Sequence, residues 1–262
     1  MLNVAEIAPR PVIETSMLSI QVMLAVALLA AVAGFSQGLT GFGFALVFTP
    51  LASMLLPARE VVLSAQMVGG LVGSLVVLET LRSFRWRRTS PLLLSAAAGA
   101  PAGVAMLALL DVNALRVAIA ITALSLAIAF LIFRPLPVRR EPRLLVVVGA
   151  VGGFLNGCTS MGGPPVAMAV ANQRWGVAQS RASLAMFNLL SLVAGLGFAS
   201  LLGMLHGGSW LTAGVAGPAA VAGTIAGTLS ARRLSPTIFR KVLVGTVAIT
   251  AVSSLLAVLL QR

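Results

Sequence analysis

Two glycine-rich stretches place amide and hydroxyl side chains inside otherwise apolar sequence. The first is GFSQGLTGFGF at residues 34–44, and the second is GFLNGCTSMGG at residues 153–163. The offset is 119 residues, and with the three residues before each stretch included, seven of fourteen aligned positions are identical. A side-chain amide is kept at Gln37 and Asn156. The duplication indicates a shared task, which is to break an apolar helix and present polar groups at the break.

The chemistry expected of such a break is anion binding. A helix interrupted inside a membrane exposes N–H groups that lack a partner, and its dipole end is equivalent to about half a positive charge. This end can bind an anion without a buried cationic side chain, and glycine lets the backbone approach the ligand closely. We therefore predict that the two breaks meet near the middle of a membrane and hold an anion between them. The predicted substrate-binding residues are Gln37, Thr40, Gly41, Gly43, Gln66, Asn156, Thr159, Ser160, Gly162, Gly163 and Asn188.

The glycines also have a purely structural interpretation. Gly34 and Gly38, like Gly153 and Gly157, have the four-residue spacing of small residues at contacts between membrane helices. Packing alone would explain either pair. The occurrence of both pairs beside matched polar residues favours a binding role for the stretches as a whole.

Three polar side chains lie in the helices that follow the breaks. Gln66 and Asn188 either face the same anion or link helices through their amides. Arg181 either attracts an anion or fixes the orientation of its helix in the membrane, and we favour the second role.

Composition places the chain in a membrane. Of its 262 residues 59% are hydrophobic and 9% are charged, and the mean hydropathy is +1.05. Apolar runs of about 20 residues, long enough to cross a bilayer, recur along the chain. One cysteine and one histidine exclude a disulfide and a Cys/His metal site, and no catalytic residue, metal or cofactor is predicted.

The repeat organises the whole chain. We predict an all-α polytopic membrane protein with two inverted-topology repeats, each a broken or re-entrant helix pair followed by three transmembrane helices. The predicted divisions are an N-terminal lead at 1–16, repeat 1 at 17–133, a cytoplasmic linker at 134–143 and an inverted repeat 2 at 144–262. The offset changes from 119 to 124 residues in the later helices, where Gly99 aligns with Gly223.

Basic residues predict the orientation. Fourteen of the 18 lie in four clusters, which are Arg82–Arg88, Arg134–Arg143, Arg174 with Arg181, and Arg232–Lys241. If each broken pair returns to its starting side, all four clusters fall on one side, which is cytoplasmic by the positive-inside rule. Both termini are then outside. The clusters alternate with apolar runs, so nucleic acid is not expected as a partner. All six acidic residues fall at predicted membrane edges, which favours an anion over a cation as substrate.

Four stretches of the chain resemble the TauE/SafE family, the sulfite-exporter and toluene-sulfonate uptake permease group. They are GFGFALVFTPL at 41–51, GCTSMGGPP at 157–165, SRASLAMFN at 180–188 and AGTLSARRLSPTIFRKVL at 226–243, and the likeness extends over about residues 17–260. The resemblance implies a transporter of sulfite, organosulfonates or related small anions in the inner membrane of a bacterium. Phe44 aligns with Gly163, so the two halves of the site are not equivalent.

The leading hypothesis is a secondary transporter that exports a small sulfur-containing anion by alternating access. An interior-negative potential drives anions outward by about 2.3 kcal/mol per charge per 100 mV. A carrier of small carboxylates and a passive anion channel are the alternatives. The partners are then a small anionic substrate and the lipid bilayer, and a coupling proton and a homodimer are left open. An intramembrane enzyme is disfavoured because the apolar runs contain no acidic residue or catalytic relay.

Overall fold

The computed structural model describes residues 20–132, 141–173 and 175–231, and these ranges are helical with short connections. The helices are α1 (Ile20–Thr40), α2 (Phe44–Ala52), α3 (Ala58–Thr80), α4 (Trp86–Leu109), α5 (Val112–Ile132), α6 (Glu141–Thr159), α7 (Gly163–Asn172), α8 (Val177–Leu201) and α9 (Gly207–Ala231). The predicted lead at 1–16, most of the predicted linker (134–140) and the end of the predicted repeat 2 (232–262) lie outside the described residues.

Six of the described helices are long and apolar enough to cross a membrane, namely α1, α3, α4, α6, α8 and α9. Large apolar side chains such as Leu24, Leu78 and Leu94 are exposed on their outer faces, where lipid would cover them. The prediction of an all-α polytopic membrane protein is therefore confirmed. At 1.5 Å per residue the nine-residue α2 is only about 13 Å long, so it covers half a bilayer at most.

The helix breaks occur at equivalent positions of the two stretches, but they are shorter than predicted. α1 ends at Thr40 and α6 at the equivalent Thr159, so each break contains only three residues. In the first break Gly41 and Gly43 have φ angles of 85° and 113°, which favour glycine. In the second break Ser160 has a φ angle of 62°. The remainder of each glycine-rich stretch is the last part of a regular helix.

The glycines inside α1 and α6 are packing positions. A Cβ added at Gly34 would overlap the backbone of Ala220 in α9, and one at Gly153 would overlap the backbone of Ala96 in α4. Four residues further on, Gly38 meets α9 and Gly157 meets α4 in the same way. Each helix therefore packs parallel to its partner, backbone against backbone. The equivalent contacts in the two halves follow the offsets of 119 and 124 residues.

These contacts predict a strong effect of one added methyl group. In α9 a Cβ at Gly223 would overlap the carbonyl of Ala31, whereas one at Gly214 would meet nothing within 4 Å. Gly223→Ala should lower the free energy of unfolding by about 1–3 kcal/mol, a typical cost of overpacking. Gly214→Ala, the matched control, should be neutral or stabilising because alanine favours helix. Thermal unfolding in detergent measures both, and equal melting temperatures would contradict this packing.

Two repeat-equivalent helices, α3 and α8, pack against each other in the centre. Glu79 near the end of α3 forms an ion pair with Arg181 near the start of α8. Further along α8, a Cβ at Gly195 would lie 3.2 Å from Oε1 of Gln66, which is in the first half of α3. Residue numbers rise along one helix as they fall along the other. The two equivalent helices are therefore antiparallel.

Candidate anion-binding site

A small cavity lies between the two breaks. Its volume is about 10 Å³, roughly the room that one water molecule needs. Gly69, the middle residue of α3, and Asn188, next to the middle of α8, both line it. The lining residues are Phe42, Gly43, Phe44, Ala45, Leu46, Ala65, Gly69, Ser160, Met161, Gly163, Asn188 and Leu192. The structure therefore brings both breaks together at mid-height of the two central helices.

The first turn of α2 faces this cavity. Its N–H groups have no carbonyl of a preceding turn to bind, and they form the positive end of the helix dipole. The N–H of Phe44 donates to Oε1 of Gln37 over 3.1 Å. Ala45 and Leu46, the next two residues, line the cavity at the second and third helical positions. This end of α2 can therefore offer backbone donors to a ligand.

The first turn of α7 offers fewer donors. Pro164 and Pro165 have no N–H, so among the first three helical residues only Gly163 has one. The N–H of Gly162, just before the helix, donates to Oδ1 of Asn156 over 2.7 Å. A Cβ at Gly163 would overlap the ring of Phe42, which shows how closely the second break approaches the first. The two sides of the cavity are chemically unequal.

Gln37 and Asn156 hold the breaks in place from outside the cavity. Nε2 of Gln37 donates to the carbonyl of Gly41 over 3.4 Å. Nδ2 of Asn156 donates to Oδ1 of Asn188 over 3.0 Å and to Oγ of Ser191 over 2.6 Å. Both amides are fully buried. Each one accepts a hydrogen bond from the start of the following helix and so stabilises the interruption that the sequence predicted there.

The family can now be assigned. The sulfite exporter TauE/SafE model matches residues 26–254, a range that includes both breaks and the cavity between them. The chain belongs to the sulfite exporter TauE/SafE family. It is therefore a membrane transporter of the sulfite or anion exporter class and not an enzyme. No curated protein and no solved structure matches the chain.

Four of the eleven predicted site residues line the cavity of this TauE/SafE protein, and seven do not. Gly43, Ser160, Gly163 and Asn188 are in the lining. Gly41 and Gly162 lie in the breaks beside them. The cavity residues that were not predicted are mostly apolar neighbours of these positions, and Gly69 could have been found as the residue 119 positions before Asn188.

Thr40, Thr159 and Gln66 do not line the cavity and instead donate to backbone carbonyls. Oγ1 of Thr40 donates to the carbonyl of Ser36 over 2.8 Å, and Oγ1 of Thr159 donates to that of Leu155 over 2.9 Å. Nε2 of Gln66 donates to the carbonyls at the end of α6, 3.0 Å away at the nearest. In the structure they terminate and link helices, which is the structural alternative considered for Gln66.

Arg181 has a place in the TauE/SafE fold that its sequence position did not reveal. It is only 7% exposed, and its Nη2 donates to the carbonyl of Gly38 over 2.7 Å. The same nitrogen lies 3.1 Å from Oε2 of Glu79. The equivalent position in the first repeat is Val62, whose carbonyl accepts from Oγ of Ser160 over 3.2 Å. The last turn of α1 and the second break are thus each tied to the first part of a central helix of the other repeat.

Proposed function

We propose that this TauE/SafE protein is a secondary transporter that exports sulfite or a related small sulfur-containing anion by alternating access. The substrate lies between α2 and α7, near the middle of the membrane. The observation that supports this proposal is the convergence of two helix N-termini, one from each repeat, on a single buried cavity. Both dipoles present their positive ends to whatever occupies it.

The composition of the cavity agrees with an anion. Sulfite and sulfonates present several oxygen acceptors on a small group, which suits converging N–H donors. Apart from these donors the lining is mainly apolar, so the low local dielectric strengthens each charge–dipole interaction. Among the residues that the structure describes, no acidic side chain lines the cavity. A cation would have no carboxylate partner there.

The size of the cavity indicates a closed state of the transport cycle. Room for about one water is less than sulfite requires, so the breaks must separate to admit it. The antiparallel packing of α3 with α8 supports two inverted repeats. The contact of α1 with α9 matches the contact of α6 with α4. Two inverted repeats with matching contacts can open toward either side of the membrane by the same kind of movement.

We further propose that the basic connections lie in the cytoplasm. Arg87 lies at the N-terminal end of α4, and Asn113 lies just beyond its C-terminal end. Both residues are exposed. In a Cys158→Ser background, Arg87→Cys should react with an impermeant maleimide only when the cytoplasmic side is accessible, and Asn113→Cys only from the outside. Labelling of both from one side would contradict the single crossing by α4, and the reversed pattern would contradict the orientation.

Flux measurements test the proposed activity. Proteoliposomes loaded with ³⁵S-sulfite should lose label faster than protein-free liposomes, and an interior-negative potential should accelerate the loss. External unlabelled sulfite should stimulate exchange if the protein is a carrier, whereas a passive channel would show no such stimulation. A pH-gradient arm tests proton coupling, and competition by acetate or pyruvate tests the carboxylate alternative. No sulfite flux above the protein-free control would overturn the proposed function.

A further inference from the structure

The hydrogen bonds around Asn156 determine which way the amide of Asn188 points. A backbone N–H can only donate, so the contact with Gly162 requires the oxygen of Asn156 on that side. The nitrogen of Asn156 must then face Asn188 and Ser191 as a donor. Asn188 accepts this bond, so Oδ1 occupies that position and Nδ2 points the other way. The orientation of the Asn188 amide is thus fixed by the backbone N–H of Gly162, which acts through the side chain of Asn156.

The nitrogen of Asn188 is available to a ligand. Asn188 is 7% exposed and lines the cavity. Its Nδ2 donates to no group in the described part of the chain, although its Oδ1 is engaged. An amide nitrogen that has no partner in a narrow, mostly enclosed cavity is unfavourable, because little water can replace the missing hydrogen bond. A substrate oxygen in the cavity would satisfy it.

The repeat explains why this donor occurs on only one side. The residue equivalent to Asn188 is Gly69, which also lines the cavity but has no side chain. Gly69 lies beside Phe44 at the start of α2, where Ala45 and Leu46 provide backbone N–H groups. Asn188 is linked through Asn156 to the start of α7, where two prolines provide none. The side-chain donor therefore stands on the side that lacks backbone donors.

We propose that Asn188 is the charge-selecting residue of this site. Its Nδ2 donates to one oxygen of a small oxyanion such as sulfite or a sulfonate, while the N–H groups of Ala45 and Leu46 bind the other oxygens. This inference rests on the proposed function and assigns the polar contacts within it. Because the Asn188 amide is held as a donor, the site selects an acceptor group and disfavours cations and protonated acids.

Asn188→Ala tests the contact directly. Loss of a hydrogen bond to a charged group costs about 1.5–3 kcal/mol, so the variant should bind sulfite and methanesulfonate roughly 10- to 150-fold more weakly in calorimetric titrations. Ser183→Ala is the matched control, because Ser183 is a buried serine of the same helix outside the cavity lining. The control should keep wild-type affinity. Equal affinity of Asn188→Ala and wild type for the anion that binds would overturn the inference.

Asn188→Asp adds a readout that a purely structural role would not change. One carboxylate oxygen can still accept from Asn156, but the other presents an acceptor to the cavity and repels the anion. Methanesulfonate stays ionised across the accessible pH range, so its binding should return only as acidification protonates the new carboxyl and restores a donor. Binding that is lost at every pH in Asn188→Asp, with Asn188→Ala unaffected, would contradict the contact. Absence of anion binding by wild-type protein would instead overturn the proposed function itself.

Discussion

Arg181→Met should lower the free energy of unfolding by up to about 3–5 kcal/mol, the usual cost of removing one partner from a buried ion pair, because Arg181 is buried although Glu79 is partly exposed. The guanidinium interacts with the Glu79 carboxylate and with the carbonyl of Gly38, at the end of α1. Methionine retains much of the apolar volume but none of the donors. The Glu79 carboxylate then loses its ion pair with Arg181, and the Gly38 carbonyl loses a charged donor. Thermal unfolding of purified protein in detergent measures the loss.

The exposed ion pair of Arg88 with Glu141 is the matched control. Its N–O distance is 2.6 Å, shorter than that of the Arg181–Glu79 pair. The side chains of Arg88 and Glu141 are, however, 40% and 25% exposed. Arg88 also lies 4.9 Å from the ring of Trp175, so Arg88→Met loses a cation–π contact as well. Because solvent screens such pairs, its cost should be only about 1 kcal/mol. Equal destabilisation by the two substitutions would contradict the role assigned to burial.

Asn156→Leu should abolish most transport and destabilise the protein by roughly 2–5 kcal/mol. The substitution approximately preserves volume but leaves the N–H of Gly162 without its acceptor, and it removes the donor to Asn188 and Ser191. Each buried group left unsatisfied costs about 1–3 kcal/mol. The amide of Asn188 is then free to rotate, so its nitrogen no longer points reliably at the substrate. Sulfite efflux from proteoliposomes should fall at least about tenfold.

Gln37→Leu is the repeat-equivalent comparison. Among the described residues the side chain of Gln37 has two hydrogen bonds, to Phe44 and Gly41, and neither involves a residue of α8. Its substitution should therefore destabilise α2 but leave the Asn188 amide oriented. We expect a smaller loss of stability and of anion affinity than for Asn156→Leu. The reverse order would indicate that the first repeat, not the second, organises the polar side chain in the cavity.

The sequence could predict the breaks because they depend on local chemistry that is written twice. Equivalent breaks follow Thr40 and Thr159, and the positive φ angles of Gly41 and Gly43 account for those glycines. Gly34 and Gly38 were harder to interpret, because glycine serves both turns and close helix contacts. Only the position of α9 shows that they are packing residues.

Long-range partners could not be predicted from single positions. In the sequence, Arg181 resembles any arginine at the predicted cytoplasmic end of a helix. Its ion pair with Glu79 joins two residues that are 102 positions apart in the chain and lie on different helices. Gln66 and Asn188 both have a side-chain amide, so the sequence does not show which of the two faces the cavity. The fold turns Gln66 toward the end of α6 and Asn188 toward the cavity.

The position of a bound anion tests the central claim most directly. Selenite has selenium in place of the sulfur of sulfite, so its anomalous scattering can locate it in crystals of the protein. We expect a selenium peak between α2 and α7, within hydrogen-bonding distance of the Ala45 and Leu46 amides and Nδ2 of Asn188. Data from Asn188→Asp crystals at neutral pH should lack that peak. Selenium bound only to the basic surface residues of the wild-type protein would contradict the site proposed for this transporter.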